Sequence, residues 1–180
     1  FNWTDSTRYE WFTEQNINDQ RKLVIQIWYP TNVDSKEKYP YIDNPGKRLG
    51  PLSEQVELPE FMIRHIQGIR TNSSLNVPIH PDIASLPVIL FSHGLGGMKA
   101  QNTAQVEELV SHGYFVIAPD HPFDANITIF DDGTVADYRS GITFLQAKRG
   151  KGVELTEKDF WDFRLPQINT RTADIRFEIH

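Results

Sequence analysis

Five consecutive residues, His93-Gly94-Leu95-Gly96-Gly97, have the composition to stabilise an anion on backbone amides. Glycines admit close approach to the main chain and dihedrals that turn N–H groups inward. An ester carbonyl gains negative charge as it becomes tetrahedral, and an amide aimed at that oxygen lowers the barrier by about 3 to 4 kcal/mol. The Leu95 N–H is the expected oxyanion donor, with Gly94 and Gly96 shaping the loop around it. A plain glycine-rich turn or a phosphate cradle is the competing reading, since a helix N-terminus favours any anion. Against a phosphate site, neither the Walker Gly-Lys-Ser/Thr nor the Gly-x-Gly-x-x-Gly spacing is present.

The neighbouring titratable residues have simpler expectations. His93 opens the motif, where an imidazole is expected to orient the loop by hydrogen bonding rather than to move a proton. Asp120, His121 and Asp124 have the side chains of metal ligands, but a strand-end turn rich in Asp and Pro accounts for them, and an open metal site needs a converging third ligand. No metal is expected. His180 is terminal and has no implied partner. The chain contains no cysteine, which removes thiol catalysis, disulfides and thiolate metal sites together.

The elements that must position this loop follow from periodicity. Residues 23–29 carry Val24, Ile25, Ile27 and Trp28 and stop at Pro30, an early strand. Leu86-Pro87-Val88-Ile89-Leu90-Phe91 is a continuous apolar run of strand length ending at Ser92, which reads as a strand buried on both faces of a parallel sheet. Val106, Leu109 and Val110 then form a helical stripe, with His112 in the last turn and Gly113 suited to a left-handed cap. Phe115-Val116-Ile117-Ala118 is the next buried strand, ended by Pro119-Asp120. Together these make a strand–helix–strand unit with parallel strands.

Elsewhere the signals are weaker. Residues 31–85 are punctuated by six prolines and read as a loop-rich insertion with one helix over 60–69. Its apolar positions Phe61, Met62, Ile66 and Ile69 read first as core and second as the wall of an acyl pocket or lid. Ile127, Ile129 and Phe130 before Asp132-Gly133 predict a hairpin. Ile168, Thr172, Ile175 and Ile179 fall on one face of a final helix, with Arg171 and Asp174 spaced to pair.

Composition bounds the classes. A length of 180 residues supports one core, and 39% apolar with 12% aromatic side chains fills it. A net charge of −6 argues against nucleic acid as a partner, because phosphate binding needs a basic patch. The densest basic cluster, Lys148, Arg149 and Lys151, reads as a polar loop. No stretch approaches the roughly 20 apolar residues of a membrane span. The chain opens on Phe1, as a processed or trimmed product would. Sequons at Asn2, Asn72 and Asn126 fit an extracytoplasmic or secreted placement about as well as they fit chance.

Residues 86–97 closely resemble the corresponding stretch of platelet-activating-factor acetylhydrolases, the lipoprotein-associated phospholipase A2-like family of α/β-hydrolases, and their bacterial relatives. The resemblance continues through Leu109-Val110-Ser111-His112-Gly113-Tyr114-Phe115-Val116 and Asp120-His121-Pro122. It returns at Arg164-Leu165-Pro166-Gln167-Ile168 and Arg171-Thr172-Ala173-Asp174-Ile175, and Gln26-Ile27-Trp28-Tyr29-Pro30 and Ile69-Arg70-Thr71-Asn72 also look familial. It implies an α/β fold, a mostly parallel sheet flanked by helices, with residues 1–180 as the N-terminal part of one domain. It further implies a serine acyl-enzyme esterase without cofactor, acting on a short-acyl phospholipid or related lipid ester, with a lipid surface as a further contact. His93 and His121 are then expected at the substrate rim.

In that family the helix matching residues 167–180 leads into a strand that delivers a Gly-x-Ser-x-Gly nucleophile. No serine of this sequence has that setting. The triad order Ser, Asp or Glu, His places all three members beyond His180. The expectation is therefore an oxyanion half without a nucleophile, inactive and unstable alone, completed by a further C-terminal segment or a second chain. Two other classes fit the same loop: an aspartate-nucleophile hydrolase of this fold, and a non-catalytic binding module built on it.

Overall fold

The computed structural model of the chain describes residues 1–13, 16, 18–83, 85–141 and 154–178. Lys148, Arg149, Lys151, Ile179 and His180 lie outside the described residues. Four strands form one sheet: β1 (Asn2–Tyr9), β2 (Gln20–Trp28), β3 (Val88–Leu90) and β4 (Phe115–Asp120), in the order β1-β2-β4-β3. β3 and β4 pair in parallel, with α3 (Thr103–Ser111) between them in sequence, as the pattern predicts. β2 pairs antiparallel with both β1 and β4. The expected mostly parallel sheet is thus corrected to a mixed one among the described residues. β1 and β2 are joined by a short connection, which can only return the chain antiparallel.

Period-two alternation builds a core on each side. Trp28, Val116 and Ala118 face α3 and pack with Val106, Leu109 and Val110. Leu23, Ile25 and Ile117 face the other way and pack with Trp3, Leu90 and Phe177, the last from the long helix Glu157–Phe177. Full burial of side chains this size stabilises by roughly 1.5 to 3 kcal/mol each. The sheet is therefore covered by helices on both faces.

β4 runs through Pro119 and Asp120 instead of stopping before them. The reason is the register. Pro119 sits opposite Ile25, whose N–H and C=O are both bonded to Phe1, so the missing proline N–H removes no hydrogen bond to β2. The reading of residues 86–91 as buried on both faces is also corrected. Only Val88–Leu90 pair, and Val88 is 55% exposed because β3 forms the outer edge of the sheet among the described residues.

The insertion holds more helix than its prolines suggest. α1 spans Pro45–Gln55, with Pro45 in the first turn, where a missing N–H is harmless. Pro51 and two glycines weaken it, and buried Arg48 and Leu49 anchor it from outside. The helix expected over 60–69 is a short α2 (Glu60–Ile63) followed by a 3-10 segment, Arg64–Gly68. Phe61 and Met62, read as core, are exposed, and the adjacent Ile63 is the buried residue.

The hairpin forms as predicted from β5 (Ile127–Ile129) and β6 (Val135–Asp137). Gly133 alone supplies a positive φ, +81°. The long helix, α4 (Glu157–Phe177), starts at a capping box between Thr156 and Asp159. Its packed face is not the expected Ile168, Thr172, Ile175 stripe: Ile168 and Thr172 are exposed, and the buried positions are Phe163, Gln167 and Asp174.

Candidate functional site: the turn after β3

The loop leaving β3 closes a four-residue turn at 94–97, with the Gly97 N–H donating to the Gly94 carbonyl at 2.9 Å. Only Gly96 among these has a positive φ, +74°, which makes it a type II turn with Leu95 at its second position and Gly96 at its third. The Gly96 N–H donates to the Asp124 carbonyl at 2.8 Å, and the Asn126 N–H donates to the Gly97 carbonyl at 2.7 Å. The turn is thereby clamped to the segment that follows β4.

His93 aims the critical peptide. Its ring is buried, with Nδ1 2.7 Å from the Gly94 carbonyl and Nε2 accepting from the His121 N–H at 3.1 Å. An Nε2 that accepts leaves the proton on Nδ1, which donates to Gly94. Burial first, and the neighbouring His121 second, push the imidazole down to about 4, so it is neutral at physiological pH. The Gly94 carbonyl therefore receives two donors, His93 and Gly97. Its trans peptide partner, the Leu95 N–H, must point the opposite way. That N–H has no acceptor among the described residues, and Leu95 is 42% exposed.

Two buried ion networks brace this loop. On the α3 face, Asp120 accepts the Lys99 amide at 2.7 Å and pairs with Lys99 Nζ at 3.1 Å and with Arg48 at 2.8 Å, while Asp43 pairs with the same two cations. Burial works against ionisation of Asp120, yet Lys99 and Arg48 outweigh it and hold the carboxyl well below the usual range. On the α4 face, Asp174 receives Arg21 in a two-pronged contact at 2.7 and 3.1 Å, Arg8 at 2.9 Å, and His121 Nδ1 at 2.8 Å. Here too burial is overcome, chiefly by Arg21.

His121 passes the second network on to the loop, its Nε2 lying 3.0 Å from Ser92 Oγ. Arg171 Nη2 donates both to Ser92 Oγ at 2.9 Å and to the His93 carbonyl. The Arg171–Asp174 pair expected from their spacing does not form; each reaches a different partner across the fold. Asp124 accepts from Gln167 at 2.6 Å and from Ser140. Asp120, His121 and Asp124 thus each serve a separate protein partner rather than converging.

Of the expected site residues, Gly94, Leu95 and Gly96 come together in the turn with His93 behind them. His93 and His121, expected at the rim, are 1% and 0% exposed and act from beneath the loop, which corrects their placement. Sequence reasoning missed Arg21, Arg48, Lys99 and the role of Asp174. The available signal was a charge inside an apolar strand, Arg21 beside Leu23, which demands a buried counter-ion. A cavity of about 890 Å³ lies elsewhere, lined by Trp28, Tyr29, Tyr39, Lys99 and Phe130 among others, and includes no residue of the turn.

Comparison with known proteins agrees with this architecture. The family described as platelet-activating factor acetylhydrolase, isoform II, matches residues 11–176. The platelet-activating factor acetylhydrolase of Canis lupus familiaris is 29% identical over 101 residues, 54% of this chain and 22% of that protein. A non-reducing polyketide synthase, Preu6, of Preussia isomera is 28% identical over 109 residues, 58% of this chain and 5% of that protein. Among solved structures, a ferulic acid esterase from Streptomyces cinnamoneus superposes with a TM-score of 0.67 at 23% identity, covering 98% of this chain and 43% of that one. The chain spans less than a quarter of either curated relative's length.

Proposed function

Because the chain belongs to the platelet-activating factor acetylhydrolase family, we propose that the turn at 94–97 is the oxyanion site of a carboxylic ester hydrolase. The observation that carries this is the Gly94–Leu95 peptide: two donors fix its carbonyl, and its N–H has no partner among the described residues, at a residue 42% exposed. A preorganised amide of this kind need not reorganise when charge develops on the substrate oxygen, which makes it effective.

In this reading a serine supplied from outside residues 1–180 attacks the carbonyl carbon and forms an acyl-enzyme that water hydrolyses. The substrate is a short-acyl phospholipid or related lipid ester, the second oxyanion amide comes from the residue after that serine, and residues 1–180 alone are inactive. The described part contributes oxyanion stabilisation and no nucleophile.

Leu95→Pro is the direct test. The second position of a type II turn accepts proline, so the turn is retained while the one N–H is deleted. In the longest natural form of the protein that carries these residues, kcat on p-nitrophenyl acetate is expected to fall about 100- to 1000-fold. A loss smaller than threefold would remove Leu95 from the oxyanion site.

A further inference from the structure

Ser92, His121 and Asp174 form a serine–histidine–aspartate relay at the distances of a catalytic triad, 3.0 and 2.8 Å, though not in the Ser-Asp-His chain order of this fold. The hydrogen bonds assign every proton: His121 Nδ1–H donates to Asp174, its Nε2 accepts the Ser92 hydroxyl, and the Ser92 oxygen accepts from Arg171. The surroundings oppose proton transfer. A general-base histidine must become imidazolium, but His121 is fully buried, Arg21 and Arg8 already neutralise Asp174, and the Arg171 guanidinium binds the same hydroxyl. Burial first, then Arg171 and Arg21 acting against the pull of Asp174, leave this imidazole below its ordinary value.

The arrangement fits a lock instead. Gly94 has no positive φ, and nothing packs within 4 Å of where its Cβ would be, so no packing at a side-chain position holds its backbone. Its two flanking peptide planes are fixed by hydrogen bonds: His93 and Gly97 hold the Gly94 carbonyl, and Arg171 holds the His93 carbonyl. We infer that Arg171, seated on the Ser92–His121–Asp174 frame, is a positioning residue that sets the backbone at Gly94 and thereby the aim of the Leu95 amide. This rests on the oxyanion reading of Leu95. It also ties the turn to α4, so the amide is aimed only when that helix is docked.

Arg171→Met and Arg171→Lys, with Ser92→Ala as a variant at an exposed position, test it in the form of the protein that hydrolyses p-nitrophenyl acetate. Arg171→Met is expected to lower kcat about 10- to 100-fold, the scale of a small misplacement, with KM changed less than threefold. Arg171→Lys should recover at least a third of the loss on a logarithmic scale. Ser92→Ala should lower kcat about three- to tenfold.

A kcat within twofold of the parent in Arg171→Met overturns the inference, as does a loss confined to KM or one that Lys does not recover. Should Arg171→Met not fold, Ser92→Ala decides: an unchanged kcat overturns the lock. Abolished activity, or labelling of Ser92 by a fluorophosphonate, makes it a nucleophile and overturns the lock as well. Leu95→Pro run in parallel separates the two readings, since a large loss there with none in Arg171→Met defeats only the positioning role.

Discussion

Asp120 and Asp174 are both buried carboxylates paired with arginine, and they brace the same turn from opposite faces of the sheet, yet they reach it differently. Asp120 holds the main chain directly, through the Lys99 amide, and shares its cations with Asp43, whose side chain is 22% exposed. Asp174 touches no part of the turn. Its influence passes through His121, Ser92 and Arg171, and its main partner Arg21 has as its second carboxylate Glu10, itself buried. The first network is short and both of its cations keep a second carboxylate that water can reach; the second is long, and although Arg8 is partly exposed, the Arg21–Glu10 pair at its centre is dry. A buried charge that loses its partner is costly in proportion to how little water can replace it.

Asp174→Asn should therefore cost the most, about 3 to 5 kcal/mol, because Arg21 keeps only Glu10 in a water-free setting. Against a total stability of about 5 to 15 kcal/mol, a large shift in the urea midpoint is expected. Asp120→Asn should cost about 2 kcal/mol by the same measurement, since Asp43 continues to pair with both Arg48 and Lys99. Equal costs for the two variants would break the comparison.

The smallest effect expected is one of pH, and it belongs to the imidazole side. His93 is held at about 4 in the folded chain against an ordinary 6.5, so between those values the unfolded chain binds a proton that the folded chain refuses. Its contribution is complete above pH 6.5, is lost as pH falls toward 4, and changes no further below that. Glu178, raised to about 8 by burial and by Asp174, contributes a slope of opposite sign. The difference between the parent and His93→Asn isolates the histidine. From pH 7 to pH 5 the parent should lose about 1 to 2 kcal/mol more than the variant, read from urea midpoints.

The local parts of the fold are legible in the amino-acid sequence. The strand, glycine turn, helix and strand over 88–120 can be read there because burial, a turn's φ requirement and a helix stripe are each written within a few residues. Gly96 and Gly133 take the positive φ that their settings call for. α1 is not legible, because Pro45, Gly46, Gly50 and Pro51 argue locally against a helix that buried Arg48 sustains through Asp120 and the Ile127 carbonyl. The Arg171–Asp174 pairing fails for the same reason: helical spacing makes two residues neighbours, but each is engaged elsewhere in the fold, Asp174 by buried Arg21 and Arg171 by Ser92 and the His93 carbonyl.

The sequence by itself thus determined the glycine turn at 94–97, the parallel β3–β4 unit and the placement of His93 beside Gly94, all consequences of short-range stereochemistry. The tertiary structure alone decided the mixed strand order, the burial of both histidines, and the joining of Arg21, His121 and Asp174 from three separated segments. A buried charge takes its partner from whatever the fold brings within about 3 Å, and sequence spacing carries no record of that distance.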